Sequence, residues 1–312
     1  MIVYPVVIPT LCRYEHFKNC VETLSRCTLA EQTELVIGLD FPKKQVHKDG
    51  YKKIREYLDT ISGFAKITIF TTDVNLGASK NSRRLIDYVY ETYDAVIITE
   101  DDNVFSPCFL EFMNKILNEY RDNTKVTSVS GYTAISYYGV TTNSLILTHD
   151  YSAWGHGVWK NKRVYREIGY YKTVCHSFKK SFRVFMEYPA VLGMLIEMLR
   201  RGERWGDTMY TVDNILDDTY QLRPALSMVR NMGQDGSGLH SGINPIFLSQ
   251  EISIEDRFEL DTNAFDKALK QVDKITKRTF YLGLSANRFK VFCQASNVVV
   301  KWVFNRVCFG RK

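Results

Sequence analysis

The part of this 312-residue sequence richest in chemistry is Glu100-Asp101-Asp102, three successive carboxylates directly after the apolar run Ala95-Val96-Ile97-Ile98. Carboxylates crowded at the end of a buried strand repel one another and need a counter-charge. A hard divalent cation, Mn²⁺ or Mg²⁺, held through oxygen ligands supplies one, and a nucleoside diphosphate would complete its coordination. A solvated acidic turn is the plainer alternative. Asp207, in Trp205-Gly206-Asp207, is a second candidate. It is a carboxylate able to accept the proton of an attacking hydroxyl, or else the N-cap of a helix starting at Thr208. Asp213 is the fallback base on that helix. His240 lies in a loop, Asn231–Gly242, that holds four glycines and lets backbone approach a ligand closely.

The elements that must position these residues follow from periodicity. Val6-Val7-Ile8, Leu35–Leu39, Lys66–Phe70 and Ala95–Ile98 read as strands, the third with the alternation of an edge strand. Between them Phe17, Cys20, Val21 and Leu24, then Ile54, Tyr57, Leu58 and Ile61, then Leu85, Ile86, Val89 and Tyr93 mark helical faces. Ser106-Pro107 reads as an N-cap with proline at the first helical position, ahead of a stripe from Phe109 to Tyr120. The order βαβαβαβα predicts an α/β fold, a doubly wound, mostly parallel sheet whose ligands sit at the carboxyl ends of the strands. The second half is less regular. Val126–Val129 is a candidate strand, while Pro189–Arg201 and Thr208–Leu216 are candidate helices.

Val96 to Val104, followed by Pro107, Phe109 and Phe112, resembles the acidic metal motif of A-type glycosyltransferases, in particular the EDD form of N-acetylglucosaminyltransferase I-like enzymes. The resemblance implies that Asp102 binds Mn²⁺ or Mg²⁺, that Asp101 touches ribose or sugar hydroxyls, and that Glu100 acts through water. Ser152–Lys160, with Trp154 and Gly155, is similar to the tryptophan-glycine segment of bacterial family-2-like sugar transferases. So is the order Trp205-Gly206-Asp207, Arg223-Pro224, Asn231–His240. Asn75–Arg83 resembles the N-x-G loop and basic helix of the same enzymes. The resemblance covers about residues 3–245. It implies that Pro9, Thr10, Arg13 and Asp40 hold the nucleotide and that Lys80 or Arg83 meets the diphosphate. His240 would contact metal or pyrophosphate, and Trp154, Trp159 and Trp205 would face the sugars.

The implied reaction is transfer of a sugar, with inversion, from a nucleotide-sugar donor (a UDP-sugar is the commoner guess) to a glycan or lipid-linked acceptor in bacterial surface polysaccharide synthesis. A sugar-phosphate nucleotidyltransferase is one rival, although Pro9–Arg13 lacks the glycine-rich basic signature such enzymes carry after the first strand. A non-catalytic binder of nucleotide sugars or glycans is another.

Composition narrows the field further. Seven cysteines, odd in number and without a CxxC pair, argue against a disulfide framework or zinc ribbon. Residues 274–312 hold nine basic and no acidic residues, leaving 32 basic against 35 acidic in the rest. Basicity confined to one end argues against a broad nucleic-acid surface. With its interspersed aromatics the tail suits peripheral contact with an anionic membrane. No apolar run approaches a membrane span, which points to a cytoplasmic protein, possibly at the inner face of the plasma membrane. The expected organisation is a catalytic domain over residues 1–250, with a donor half 1–130 and an acceptor half 131–250, and a basic helical appendage over 251–312.

Overall fold

A computed structural model describes residues 1–133, 144–162, 164–236, 248–259 and 300. Strands β1 (Val6–Thr10), β2 (Glu34–Leu39), β3 (Lys66–Phe70) and β4 (Ala95–Ile98) alternate with helices α1 (Tyr14–Ser25), α2 (Lys48–Leu58) and α3 (Ala78–Val89). A short strand β5 (Asn103–Phe105), helix α4 (Phe109–Glu119) and strands β6 (Val126–Ser130), β7 (Leu145–Thr148) and β8 (His156–Trp159) follow. Next come helices α5 (Ile168–His176), α6 (Phe178–Glu187), α7 (Pro189–Arg201) and α8 (Gly206–Asp217), then strands β9 (Tyr220–Pro224) and β10 (Val229–Asn231).

The main sheet runs β3-β2-β1-β4-β8-β6-β9-β7. β1, β2, β3 and β4 are mutually parallel, and β6 pairs parallel with β9. β8 runs against both its neighbours and β7 runs against β9. The result is the expected doubly wound, mostly parallel α/β sheet. β3 is the edge strand its alternation predicted. β4 is fully buried in mid-sheet, as a four-residue apolar run covered on both faces must be.

Each strand sends alternate side chains to opposite faces. Val6, Ile8, Leu35, Ile37 and Ile97 join α1, α2 and α4 in the larger core. Val7, Val36, Val96 and Ile98 pack against Leu85, Ile86 and Val89 of α3. Helices α5–α8 form a bundle with a core of its own, centred on Leu192, Leu195, Met198 and Val212. α7 has proline in its first turn and ends at Gly202 in the left-handed conformation, the stop expected from sequence. The bundle is tied to the sheet by polar bonds. Thr211 Oγ1 accepts from the Tyr151 amide, and Asn214 accepts from Thr127 and donates to the His149 carbonyl.

Several expectations need correction. Ser106 is not the N-cap of α4: Cys108 holds that position, and Ser106 is buried with its hydroxyl against Cys108 Sγ. Within the aromatic- and glycine-rich stretch around Trp154, His156–Trp159 is a central strand of the sheet, an element the sequence reading did not assign. Asn231 belongs to a two-stranded ribbon in which it faces Asn103, a pairing across more than a hundred residues that no local pattern signals. The C-terminal appendage lies outside the described residues except for 251–259 and 300. No described helix is long and apolar enough to cross a membrane.

The β1 entry is pinned by a buried amide. Asn114 of α4 accepts from the Tyr4 N–H at 2.7 Å and donates to the Leu110 carbonyl at 2.7 Å. Asn114→Ala orphans the buried Tyr4 donor and is expected to lower unfolding free energy by about 1–3 kcal/mol in a denaturant titration.

Candidate functional site

β4 ends at Ile98, and Thr99 to Asp102 turn the chain at the carboxyl edge of the sheet beside the end of β1. Asp101 and Asp102 are buried, 6% exposed each, whereas Glu100 is exposed. Two buried carboxylates side by side require compensation, and Arg13, just past β1, supplies it. Its guanidinium straddles the pair, with Nη1 donating to Asp102 Oδ2 at 2.7 Å and Nη2 to Asp101 Oδ1 in a short ion pair. Thr10 Oγ1 donates to the other Asp101 oxygen at 2.8 Å. Asn231 Nδ2 donates to Asp102 Oδ1 at 2.7 Å, and the Met232 amide donates to the Asp102 carbonyl. Gly233 closes this side: a Cβ there would lie 2.0 Å from Asp102 Oδ2, so only glycine lets the loop approach so closely.

Opposite the triplet stands Asp207, in the first turn of α8. It is not the N-cap, a position held by Trp205. Glu100 and Asp207 are both exposed residues. Desolvation, then repulsion from Asp102, Asp207 and Asp101, pushes Glu100 up to about 8. Desolvation, then the charge of Asp150, pushes Asp207 up to about 7, with Arg223 working against the rise. Asp207 contributes to the rise at Glu100, although more than a hundred residues separate the two carboxyls.

Behind Asp207 lies a pair that sequence reasoning missed. Arg223 of β9 is buried and binds Asp150 Oδ2 at 3.0 Å, its Nε donating to Gln221 at 2.9 Å. The signal was present in β9: Gln221 and Arg223, polar residues at alternate positions of a fully buried strand. Tyr132, beyond β6, is 5% exposed, and its hydroxyl has no hydrogen-bond partner among the described residues. Burial first, then the opposed charges of Arg223 and Asp150, perturb its acidity, which locates the ring beside that pair. Thr208, next to Asp207, likewise buries a hydroxyl without a partner. Unpartnered buried hydroxyls are uncommon and ask for a water or ligand.

The other expected site residues are divided. Pro9 is half-buried within β1. Asp40 is at the expected strand end, but its carboxylate is spent internally: it accepts from the amides of Phe41, Leu76 and Gly77 and from the Asn75 side chain. It thereby fixes the Asn75–Gly77 loop that starts α3 and is not free to read a base. Lys80 is exposed in the first turn of that helix. Arg83 is not brought to the acid cluster; it is exposed and pairs with Asp87 one turn on. Trp154 is half-buried and meets Tyr132 edge-on at 4.6 Å. Gly155 adopts φ +58°, and a Cβ there would strike Val229 and Phe109. Trp159 is a core residue, fully buried with its indole N–H on the Leu117 carbonyl, and has no face for a sugar. Trp205 packs on the helical bundle, its N–H donating to Glu203. Asp213, the fallback base, is instead buried in an ion pair with Arg166 at 2.7 Å and a hydrogen bond from Tyr171 at 2.8 Å. His240 lies outside the described residues.

The expected cation finds no assembled ligand set. Every Asp101 and Asp102 oxygen already accepts from Arg13, Thr10 or Asn231, and among the described residues no three Asp, Glu, His or Cys side chains converge on a point. The counter-charge built into this arrangement is Arg13.

No family model matches the sequence, and no curated protein matches it. Among solved structures, S. aureus TarS 1-349 is similar over 98% of this chain and 82% of its own, at 10% identity and a TM-score of 0.41. In another TarS structure the match spans only 24% of that chain. The mannosyltransferase PcManGT from Pyrobaculum calidifontis, solved with GDP-Man and Mn²⁺, is similar over 51% of this chain and 45% of its own, at 13% identity and a TM-score of 0.39. For the bifunctional WbbM the figures are 41%, 22%, 15% and 0.29.

Two outcomes test the electrostatics. Arg13→Ala leaves two buried carboxylates unpaired and is expected to cost about 3–5 kcal/mol of stability in denaturant unfolding. Glu100→Gln should raise the thermal midpoint of the ligand-free protein. A carboxyl whose folded pKa is raised from 4.5 to about 8 destabilises the fold increasingly as pH climbs through that window. The gain should therefore be full at pH 8 and above and should vanish towards 4.5.

Proposed function

We propose that this protein is a glycosyltransferase that moves a sugar from a nucleoside-diphosphate sugar to a hydroxyl of a glycan or lipid-linked acceptor, inverting the anomeric carbon. The observation that carries the reading is Asp207, a carboxyl pushed up to about 7, acting electrostatically on Glu100 of the acid triplet, whose Asp101 and Asp102 are bound by Arg13 at the carboxyl edge of a parallel sheet. A general base is most effective when its pKa lies near the working pH. The edge beside β1 and β4 is where doubly wound sheets bind nucleotides.

In this reading the donor lies along the ends of β1 and β4. Its diphosphate faces the N-terminus of α3, where unpaired amides favour anions, and Lys80 in the first turn of that helix. Asp40 acts indirectly, by holding the loop that presents the helix. Glu100 faces the donor's sugar from the cleft floor. The acceptor enters from the β6 and β9 side, where the hydroxyls of Tyr132 and Thr208 offer unused hydrogen-bonding capacity and Trp154 a ring edge. Asp207 takes the acceptor proton as its oxygen bonds to the anomeric carbon. The bond from that carbon to the diphosphate oxygen breaks, and the electron pair leaves with the nucleoside diphosphate. The Asp150–Arg223 pair sets the charge around Asp207: Asp150 raises its basicity and Arg223 limits the rise. No step is assigned to a metal, because a cation at Asp102 would first have to share or displace Arg13 and Asn231.

The first experiment is thermal stabilisation by nucleoside diphosphates and nucleotide sugars, with Mn²⁺ and with chelator. A donor at 100 times its dissociation constant should add about 2.7 kcal/mol. No shift with any nucleotide would sink the reading. With the donor known, Asp207→Asn should keep that stabilisation while turnover falls about 10²- to 10⁴-fold. The wild-type rate should drop as pH falls through about 7, where the base becomes protonated. A mutant with wild-type turnover places the base elsewhere.

A further inference from the structure

Away from the cleft, the outer face of α6 presents Phe178, Phe182 and Met186 to solvent, 83%, 51% and 61% exposed. They are spaced i, i+4, i+8, so they form one stripe along the helix. The rings of Phe178 and Phe182 stack on each other at 5.7 Å. The stripe is not needed to hold α6 in place. The inner face does that, with Val184 buried, Phe185 packed on the bundle core, and Ser181 bonded to the carbonyls of Val174 and Ser177. The charged residues within α6 before its last position are all cationic: Lys179, Lys180 and Arg183. Lys179 and Arg183 are exposed beside the stripe, Arg183 also donating to the Leu216 carbonyl of α8 at 3.3 Å, while Lys180 lies over the Tyr170 ring. Glu187, the final residue of the helix, is its one carboxylate.

We propose that this face of α6 docks the protein on an anionic lipid surface. Aromatic and thioether side chains on the outer face of an anchored helix can enter the headgroup–acyl boundary, and flanking lysine and arginine meet the phosphates of anionic lipids. The charge complementarity selects this occupant. A protein partner for the same face would need to carry matching carboxylates. A second copy of this chain would set Lys179 and Arg183 against their own kind across the symmetry axis. The proposal stands on the α6 face alone and is independent of the reaction assigned to the cleft.

The test is co-sedimentation of the full chain with phosphatidylcholine vesicles with and without phosphatidylserine, at low and high salt. Wild type should sediment only with the phosphatidylserine vesicles, and less so at high salt. Phe178→Ser with Phe182→Ser should bind at least tenfold more weakly. Lys179→Gln with Arg183→Gln should lose roughly 30-fold, from about fivefold per basic residue. Circular dichroism should stay at the wild-type value in both variants, and the thermal midpoint should stay there in the phenylalanine variant. The Lys179/Arg183 variant also loses the bond from Arg183 to the Leu216 carbonyl, so Lys179→Gln alone, expected to bind about fivefold more weakly, is its control. The proposal is overturned if wild type stays in the supernatant with phosphatidylserine vesicles. It is equally overturned if the phenylalanine variant binds them undiminished, which would assign membrane contact to another part of the chain. A wild-type dimer in sedimentation velocity that the phenylalanine variant dissolves, without vesicle binding, would make the face a contact between copies.

Discussion

Two carboxylates buried side by side at the end of a central strand are the constraint around which this molecule is organised. Neither Asp101 nor Asp102 can be desolvated with its charge uncompensated, and Arg13 spans both. The guanidinium fork suits this task because its donors are rigidly arranged and meet two acceptors at once. That one contact fixes the end of β1 against the end of β4. Asn231 and the Met232 amide then fasten the β10 segment to the same aspartate, and Gly233 permits the approach. Three stretches of chain far apart in sequence therefore meet at Asp102.

The opposite side of the cleft is built on another principle. The bundle α5–α8 has its own apolar core and meets the sheet through a few buried polar bonds at Thr211 and Asn214. Those bonds aim the first turn of α8, and with it Asp207, at the strand ends. Among the described residues Asp207 pairs with no cation, in contrast to Asp213 six residues on, which Arg166 pairs with and Tyr171 donates to. Burial raises both aspartates of this helix, but Asp213 is held in an ion pair and Asp207 is not. A carboxyl that is desolvated without a partner is costly to keep charged, which is the condition a proton acceptor working near neutral pH requires.

Unsatisfied buried polar atoms occur in several parts of the described chain, Tyr4 and His47 included. Tyr132 and Thr208 bury hydroxyls without partners beside the Asp150–Arg223 pair and Asp207. Buried polar side chains such as Asn114 of α4, Asn81 of α3 and Gln221 of β9 are bonded into the fold.

The sequence by itself determined the donor-side fold. Strict 2.0 and 3.6 periodicities and the apolar run at 95–98 identified β1 to β4 and α1 to α4, and the position of the triplet after a buried strand located the site edge, because these signals are local. It also singled out Asp207. Only the tertiary structure decided the rest. Whether a polar residue serves a ligand or the fold depends on partners remote in the chain: Asp40 is consumed by the Asn75–Gly77 loop, Trp159 by the core, Arg13 by two aspartates, and Arg83 points to solvent. The antiparallel insertion of β8 between β4 and β6, and the meeting of Asn231 with Asp102, are long-range pairings whose registers are set by packing, and periodicity carries no information about them.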